Sequence, residues 1–310
     1  MPASRRALLQ QQSNPLSWNQ IGFALRRWLS WNVHTYQEPK ESKTGIFIGN
    51  ALAQTEEARL TADYNLSAVQ HHATGTRYRE TLSYLLWLDV FQRLAPDWFA
   101  PLLAAAKAFE AETNCLESAE PSHASLAWLD VGAKNWSYVE ALSAFLQAGG
   151  LQCFVLDGVE LDPYRRYADL HTRAQYAEAH SRAILQSRYH AGDIHDWRQP
   201  AHIISSFLPF VFPEPHTAWG LPSAYFRPEA QLKHLFSLLE PGGLLLIVNQ
   251  GPVEAEAQAS LLASVAREFP LEWREAGQLP APFIEYLYPR YGWICRKRSE
   301  MHDGQEHGSG

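Results

Sequence analysis

No stretch of this 310-residue chain approaches the roughly 20 consecutive apolar residues that a membrane-spanning helix requires. Behind Arg5 and Arg6 only Ala7-Leu8-Leu9 precedes a glutamine run, too short for the core of a signal peptide. Cysteine is scarce. Cys115, Cys153 and Cys295 stand far apart with no CxxC pair, and their odd number argues against a disulfide framework and for a reducing compartment. Positive charge is scarce too: 26 Lys and Arg against 33 Asp and Glu give a net charge of −7, which leaves no basic field to hold nucleic acid. The 13 histidines show no metal-ligand spacing, because His71-His72 is adjacent and no HxxxH pair has carboxylate support. The expectation is a soluble, cytoplasmic protein with no membrane partner, no nucleic-acid partner and no metal.

Hydrophobic residues make up 46% of the chain, enough for a substantial core in one large domain or in a core domain with a helical extension. The chain changes character near residue 120. Residues 16–115 read as helices. Trp18, Ile21, Leu25, Trp28 and Leu29 recur at helical spacing, as do Leu82, Leu85, Leu86, Leu88 and Phe91, and a third helix is expected after Pro101. Arg26 and Arg27 beside two tryptophans suit either a membrane-surface helix or an arm packed on the core or a second subunit; the arm is the plainer reading. The polar stretch 117–125 reads as a linker. Three regions follow: a helical N-terminal extension or cap over 1–120, a core over 121–298, and a polar, disordered tail over 299–310.

From residue 126 strands and helices alternate. Strands are expected at 126–131, 153–156, 188–190, 203–210, 244–248, 271–273 and 291–295, with helices over 138–148, 164–185, 230–239 and 261–269. The run 244–248 is uniformly apolar, as in a central strand buried on both faces. This alternation predicts an α/β, doubly wound, mostly parallel sheet, whose ligands bind beyond the carboxyl ends of the strands. After the first strand stands Asp130-Val131-Gly132-Ala133-Lys134-Asn135, where a glycine at a tight turn lets a ligand approach the backbone. There Asp130 either fixes the loop or meets a cationic amino group. After the second stands Gly158-Val159-Glu160-Leu161, with an acidic side chain placed to accept from two ribose hydroxyls. After the third stands Gly192-Asp193-Ile194, where a carboxylate can take an exocyclic amine and Ile194 can lie against a ring.

The segment from Leu126 to Gly251 resembles the class I S-adenosylmethionine-dependent methyltransferase family. Leu129-Asp130-Val131-Gly132, Gly158-Val159-Glu160 and Gly192-Asp193-Ile194 are similar to its first three motifs, and Pro241-Gly242-Gly243 matches the turn ahead of its fifth strand. The resemblance covers about 125–298 and implies a Rossmann-like methyltransferase sheet with S-adenosylmethionine as cofactor and S-adenosylhomocysteine as product. It also implies that Asp130 and Gly132 border the methionine portion, Glu160 the ribose, and Asp193 with Ile194 the adenine. Ala133, Lys134, Asn135, Leu161, Gly192, Ser205 and Phe207 complete the candidate cofactor site. The family's GxGxG-like loop is reduced here to one glycine, so Lys134 and Trp136 are expected to point away from the cofactor. A nicotinamide dehydrogenase would need G-x-G-x-x-G at this turn for the pyrophosphate.

Methyl transfer needs alignment more than acid–base groups, because the cofactor carries its own leaving group. His216 is nevertheless the candidate catalytic base, against the plainer reading of a loop histidine. Phe207, Phe210, Trp219 and Tyr225 follow the fourth strand as candidate substrate contacts. Arg77 and Tyr78 lie ahead of an apolar helix where a lid could fold over the site, and Arg77 suits a carboxylate. One face of the 164–185 helix (Tyr164, Tyr167, Ala168, His171, Ala174, Ala177) is expected in the core or a dimer contact. Eleven tryptophans and a helical cap suggest an enclosed aromatic pocket, hence a small-molecule acceptor. A homodimer stays open, and the alternative function is a degenerate family member that binds a ligand or partner without catalysis.

Overall fold

The computed structural model describes residues 18–30, 51–64, 76–113, 124–182 and 184–298. His71-His72 and the tail 299–310 lie outside the described residues. Seven strands form one sheet: β1 (Leu126–Val131), β2 (Phe154–Glu160), β3 (Ser187–Ala191), β4 (Ala201–Phe207), β5 (Leu239–Gln250), β6 (Leu271–Leu279) and β7 (Arg290–Lys297). Their order is β3-β2-β1-β4-β5-β7-β6, with β7 antiparallel to both neighbours and the other pairings parallel. The expected doubly wound, mostly parallel sheet is therefore present. The order in which strands are added reverses between β1 and β4, the place where such sheets open a crevice at the strand ends.

Alternation along β1 divides the core. Leu126 and Trp128 join the apolar layer on one face, and Leu129 and Val131 the layer on the other. The first layer is covered by α3 (Thr76–Leu94), α4 (Pro96–Glu112) and α5 (Val139–Ala148), the second by α8 (Pro228–Leu238) and α9 (Gly251–Val265). The helical N-terminal residues therefore share a core with the sheet: Leu82, Leu85, Trp87 and Phe91 of α3 are buried in the layer that holds Phe145 and Trp128. Two further N-terminal helices, α1 (Trp18–Ser30) and α2 (Ala51–Asp63), precede α3. No described helix is long and apolar enough to cross a membrane.

Several boundaries differ from expectation. α4 begins at Pro96, so Pro101 lies inside it instead of opening it. β2 runs on to Glu160 because its polar residues are paired: Asp157 accepts from Arg188 and contacts His190 on β3. The Pro241-Gly242-Gly243 turn lies within β5, as a bulge where its register with β4 slips between Ala201 and Ile203. The helix expected over 164–185 shrinks to α6 (Arg173–Ser181). Thr172 and Gln175 form a reciprocal capping box that fixes its first residue, and the chain before it turns back through a bridge between Arg166 and Thr172. The cysteines depart as well, since Cys153 is disulfide-bonded while Cys295 is free and buried.

Candidate functional site

The site is built on the ends of β1, β2, β3, β4 and β5. Asp130 is fully buried, accepting from the Ser205 hydroxyl on β4 and, at 2.7 Å, from the Tyr138 hydroxyl. Trp128 Nε1 donates to the same Ser205 oxygen at 2.9 Å. Burial raises the Asp130 carboxyl from its ordinary 3.8 to about 6, and the two hydroxyl donors offset part of that rise. Of the two roles expected for Asp130, its contacts are those of a loop-fixing group; neither Asp130 nor Ser205 reaches the cavity wall.

The loop after β1 turns at Gly132, whose φ is +76°. The amides of Gly132 and Ala133 donate to the Val159 carbonyl at 2.9 and 3.2 Å. Lys134 and Trp136 also hold left-handed φ, at 55° and 49°, uncommon for residues with a Cβ. Contacts take over the work of the missing glycines. Lys134 N–H donates to Glu160 Oε2 at 2.8 Å, Tyr189 donates to the Lys134 carbonyl, and His180 Nδ1 lies 2.8 Å from the Asn135 carbonyl. Trp136 does point away: its indole is buried against Gly158, where an added Cβ would stand 2.8 Å from the ring. Of the candidate loop residues Ala133, Lys134 and Asn135, only Lys134 borders the cavity, against the expectation that its side chain points away.

Glu160 ends β2 with both oxygens engaged. Oε2 accepts from Lys134, and Oε1 accepts from the Asp162 amide at 2.8 Å and from Arg173 Nη1 at 3.1 Å. Arg173 is 4% exposed, placed there by the start of α6, with its guanidinium 5.0 Å from the centre of the Trp219 ring. Asp193 caps the short turn Ile194–Asp196, accepting from the His195 amide at 2.9 Å, and Arg227 approaches its other oxygen at 3.4 Å.

These residues border a cavity of about 420 Å³, within the range of small-molecule sites. Gly132, Glu160, Leu161, Gly192, Asp193 and Ile194 line one end, and Phe207, Phe210, His216, Trp219 and Tyr225 line its wall after β4. Tyr84 of α3 stacks on Tyr138 with centroids 3.8 Å apart, and Phe207 meets both edge-on. His216, on the short helix α7 (Pro213–Ala218), stands between the Phe210 and Phe226 rings, buried, with neither ring nitrogen hydrogen-bonded among the described residues. Burial lowers its pKa, so the imidazole is neutral near pH 7.

Arg77 and Tyr78 are not at the cavity. Arg77 forms a buried ion pair with Glu140 on α5, and Tyr78 packs against the core, because both face inward from the first turns of α3. The cavity also contains residues that sequence reasoning missed: Tyr84, Arg173, Arg227 and Arg290. The capping box Thr172-x-x-Gln175 was a readable signal for Arg173; the others arrive from distant parts of the chain.

α1 packs beside the site, against Tyr225 of the cavity wall. Phe23 is buried against Tyr225 at 5.3 Å, and Arg26 holds the buried Asp162 through Nε and Nη2 at 3.1 and 2.9 Å. Asn19 reaches the Thr217 carbonyl at 3.1 Å.

No family model matches this chain, and no curated protein matches it in sequence. Solved structures similar to it include precorrin-6y C5,15-methyltransferase from Geobacter metallireducens, 9% identical over 56% of this chain and 80% of that one, TM-score 0.36. The N-methyltransferase NodS from Bradyrhizobium japonicum is 13% identical over 62% of this chain and 98% of its own, TM-score 0.38. Human methyltransferase-like protein 13, in complex with SAH, is 18% identical over 57% of this chain and 73% of its own, TM-score 0.35. This chain's seven-stranded sheet, mostly parallel with an antiparallel β7, is of the Rossmann-like kind that the resemblance of Leu126–Gly251 to the class I S-adenosylmethionine-dependent methyltransferases implies.

Proposed function

We propose that this protein transfers a methyl group from S-adenosylmethionine to a small-molecule acceptor. The observation that carries the reading is the row of Gly132, Glu160 and Asp193 at three consecutive strand ends around one cavity. The residues fit the cofactor. A Cβ built on Gly132 or Gly192 would meet nothing within 4 Å, so both backbones face open space. Glu160 and Asp193 offer acceptors to hydroxyl and amine donors at the same end. Bound adenosylmethionine would supply an activated methyl group and its own leaving group.

The protein's part is to orient and to exclude water. Glu160, fixed by the Lys134 and Asp162 amides and by Arg173, would hold the ribose, and Asp193 with Ile194 the adenine. Asp130 would act at one remove, by clamping the loop to β4 through Ser205. Tyr84, Tyr138 and Phe207 form an apolar wall that favours a small acceptor with a flat face. Where that acceptor must lose a proton on methylation, His216 is the candidate to take it at a free ring nitrogen.

The acceptor class is tested with methyl-labelled adenosylmethionine and three fractions of a cell extract: small molecules, RNA and protein. Enzyme-dependent label is expected in the small-molecule fraction. Label confined to RNA or protein would overturn the small-molecule reading. Adenosylmethionine binding with no label in any fraction would favour a methyltransferase fold that binds without catalysis, the reading to which the reduced glycine loop leans.

A further inference from the structure

Arg290 opens β7 at the end of the cavity opposite Glu160, where the charge of Glu254 is near but forms no direct ion pair with it. It is 7% exposed, yet no carboxylate among the described residues lies within 4.0 Å of it. Nη1 donates to Gln250 Oε1 at 3.3 Å and to the Tyr288 carbonyl at 3.1 Å, while the guanidinium lies 4.2 Å from the centre of the Tyr286 ring. Nε is shut off from water without a partner, and Nη2 makes no hydrogen bond among the described residues. Nε is therefore closed to a ligand, and Nη2 is the donor left to make a charge-assisted hydrogen bond to an anion in the cavity.

The sheet sets the distance from the candidate cofactor end. β7 lies three strands from β1 and four from β2 in the order β2-β1-β4-β5-β7. At about 4.8 Å per strand, Arg290 is roughly 14 Å across the sheet from the Gly132 turn and roughly 19 Å from the end of β2. Glu254 lines the same end of the cavity, accepting from the Gln250 amide, so the local charge suits a single negative group better than a dianion. Tyr84 of α3 covers this end with an aromatic face.

We propose that Arg290 is the specificity-determining residue of the acceptor subsite and that the acceptor carries a carboxylate, held by Nη2 while its flat portion lies along Tyr84 and Phe207. The inference rests on the methyl-transfer reading for the word acceptor, but the anion site stands on its own geometry. It is tested on the full chain with S-adenosylhomocysteine present, by following the arginine Nε–Hε resonances of nitrogen-labelled protein. Benzoate, benzamide and phenyl phosphate serve as probes. Benzoate is expected to shift one Nε–Hε signal, the one lost in Arg290→Lys, and to bind at least about tenfold more weakly to that variant, the loss of one charge-assisted contact. Benzamide is expected to leave the signal in place, and phenyl phosphate to bind no more tightly than benzoate. No benzoate-dependent shift, an equal shift with benzamide, or tighter binding of phenyl phosphate each overturns the proposal, and wild-type protein alone can return any of them. Arg290→Lys weakening S-adenosylhomocysteine tenfold while sparing benzoate would also overturn it, assigning Arg290 to the cofactor's own carboxylate. Benzoate binding at Arg290 with no S-adenosylhomocysteine binding would keep the anion site and defeat the methyl-transfer reading instead; the converse would do the reverse.

Discussion

Asp130 and His180 lie on either side of the β1 loop, and burial pushes their titrations in opposite directions. Asp130 rises from 3.8 to about 6 through burial, against the Ser205 and Tyr138 donors. His180 falls from 6.5 to about 4 through burial, with nearby Arg77 adding to the fall. The folded state therefore holds the Asp130 proton more tightly than the unfolded chain, and that contribution is present at acid pH and lost as pH rises through about 6. The unfolded chain instead binds the His180 proton more tightly, so the His180 contribution is present above 6.5 and lost as pH falls through about 4. Over pH 4–6 the two slopes oppose each other. Asp130→Asn removes one of them, so the stability of the variant relative to wild type should grow by about 2 kcal/mol between pH 4 and pH 6. Urea unfolding at several pH values reads this directly, and parallel curves for the two proteins would contradict it.

At the level of elements, the end of β2 depends on one close approach. Gly158 leaves the space that the Trp136 indole fills, and this packing holds the loop whose Lys134 amide reaches Glu160. Gly158→Ala forces the ring or the strand aside and should cost about 1–3 kcal/mol, as overpacking does in other cores. It should also disturb tryptophan fluorescence. Wild-type stability in this variant would show that the ring has room to move. The same elements explain what the residues disclosed in advance. β1 was legible to its last residue because Leu126–Val131 is bounded by polar chain and by Gly132. β2 read too short because Asp157 and Gly158 look like a strand's end, although Asp157 is satisfied by Arg188 and His190 across the sheet. The helix over 164–185 read too long because its apolar spacing runs straight through Thr172-x-x-Gln175, the local capping signal that sets the first residue of α6.

Across the whole molecule, the cavity joins Tyr84, Gly132, Glu160, Asp193, His216 and Arg290, residues spread over two thirds of the chain. That its glycine and carboxylates would gather at one end was readable because each follows a strand, a position the alternation of elements fixes. Tyr84 and Arg290 were not, because only the packing of α3 across the sheet and the pairing of β7 with β5 bring them there. Arg77 failed for the related reason that Glu140, on a helix 63 residues away, claims its charge. The central claim, that the carboxylates at the ends of β2 and β3 hold an adenosyl cofactor, is tested most directly by calorimetry. S-adenosylmethionine and S-adenosylhomocysteine would be titrated into wild type, Glu160→Ala and Asp193→Ala, with folding checked by circular dichroism. The account predicts binding to wild type that weakens at least about tenfold in each variant, the scale of one lost charged hydrogen bond. Absence of binding to wild type, or undiminished binding by both variants, would contradict it.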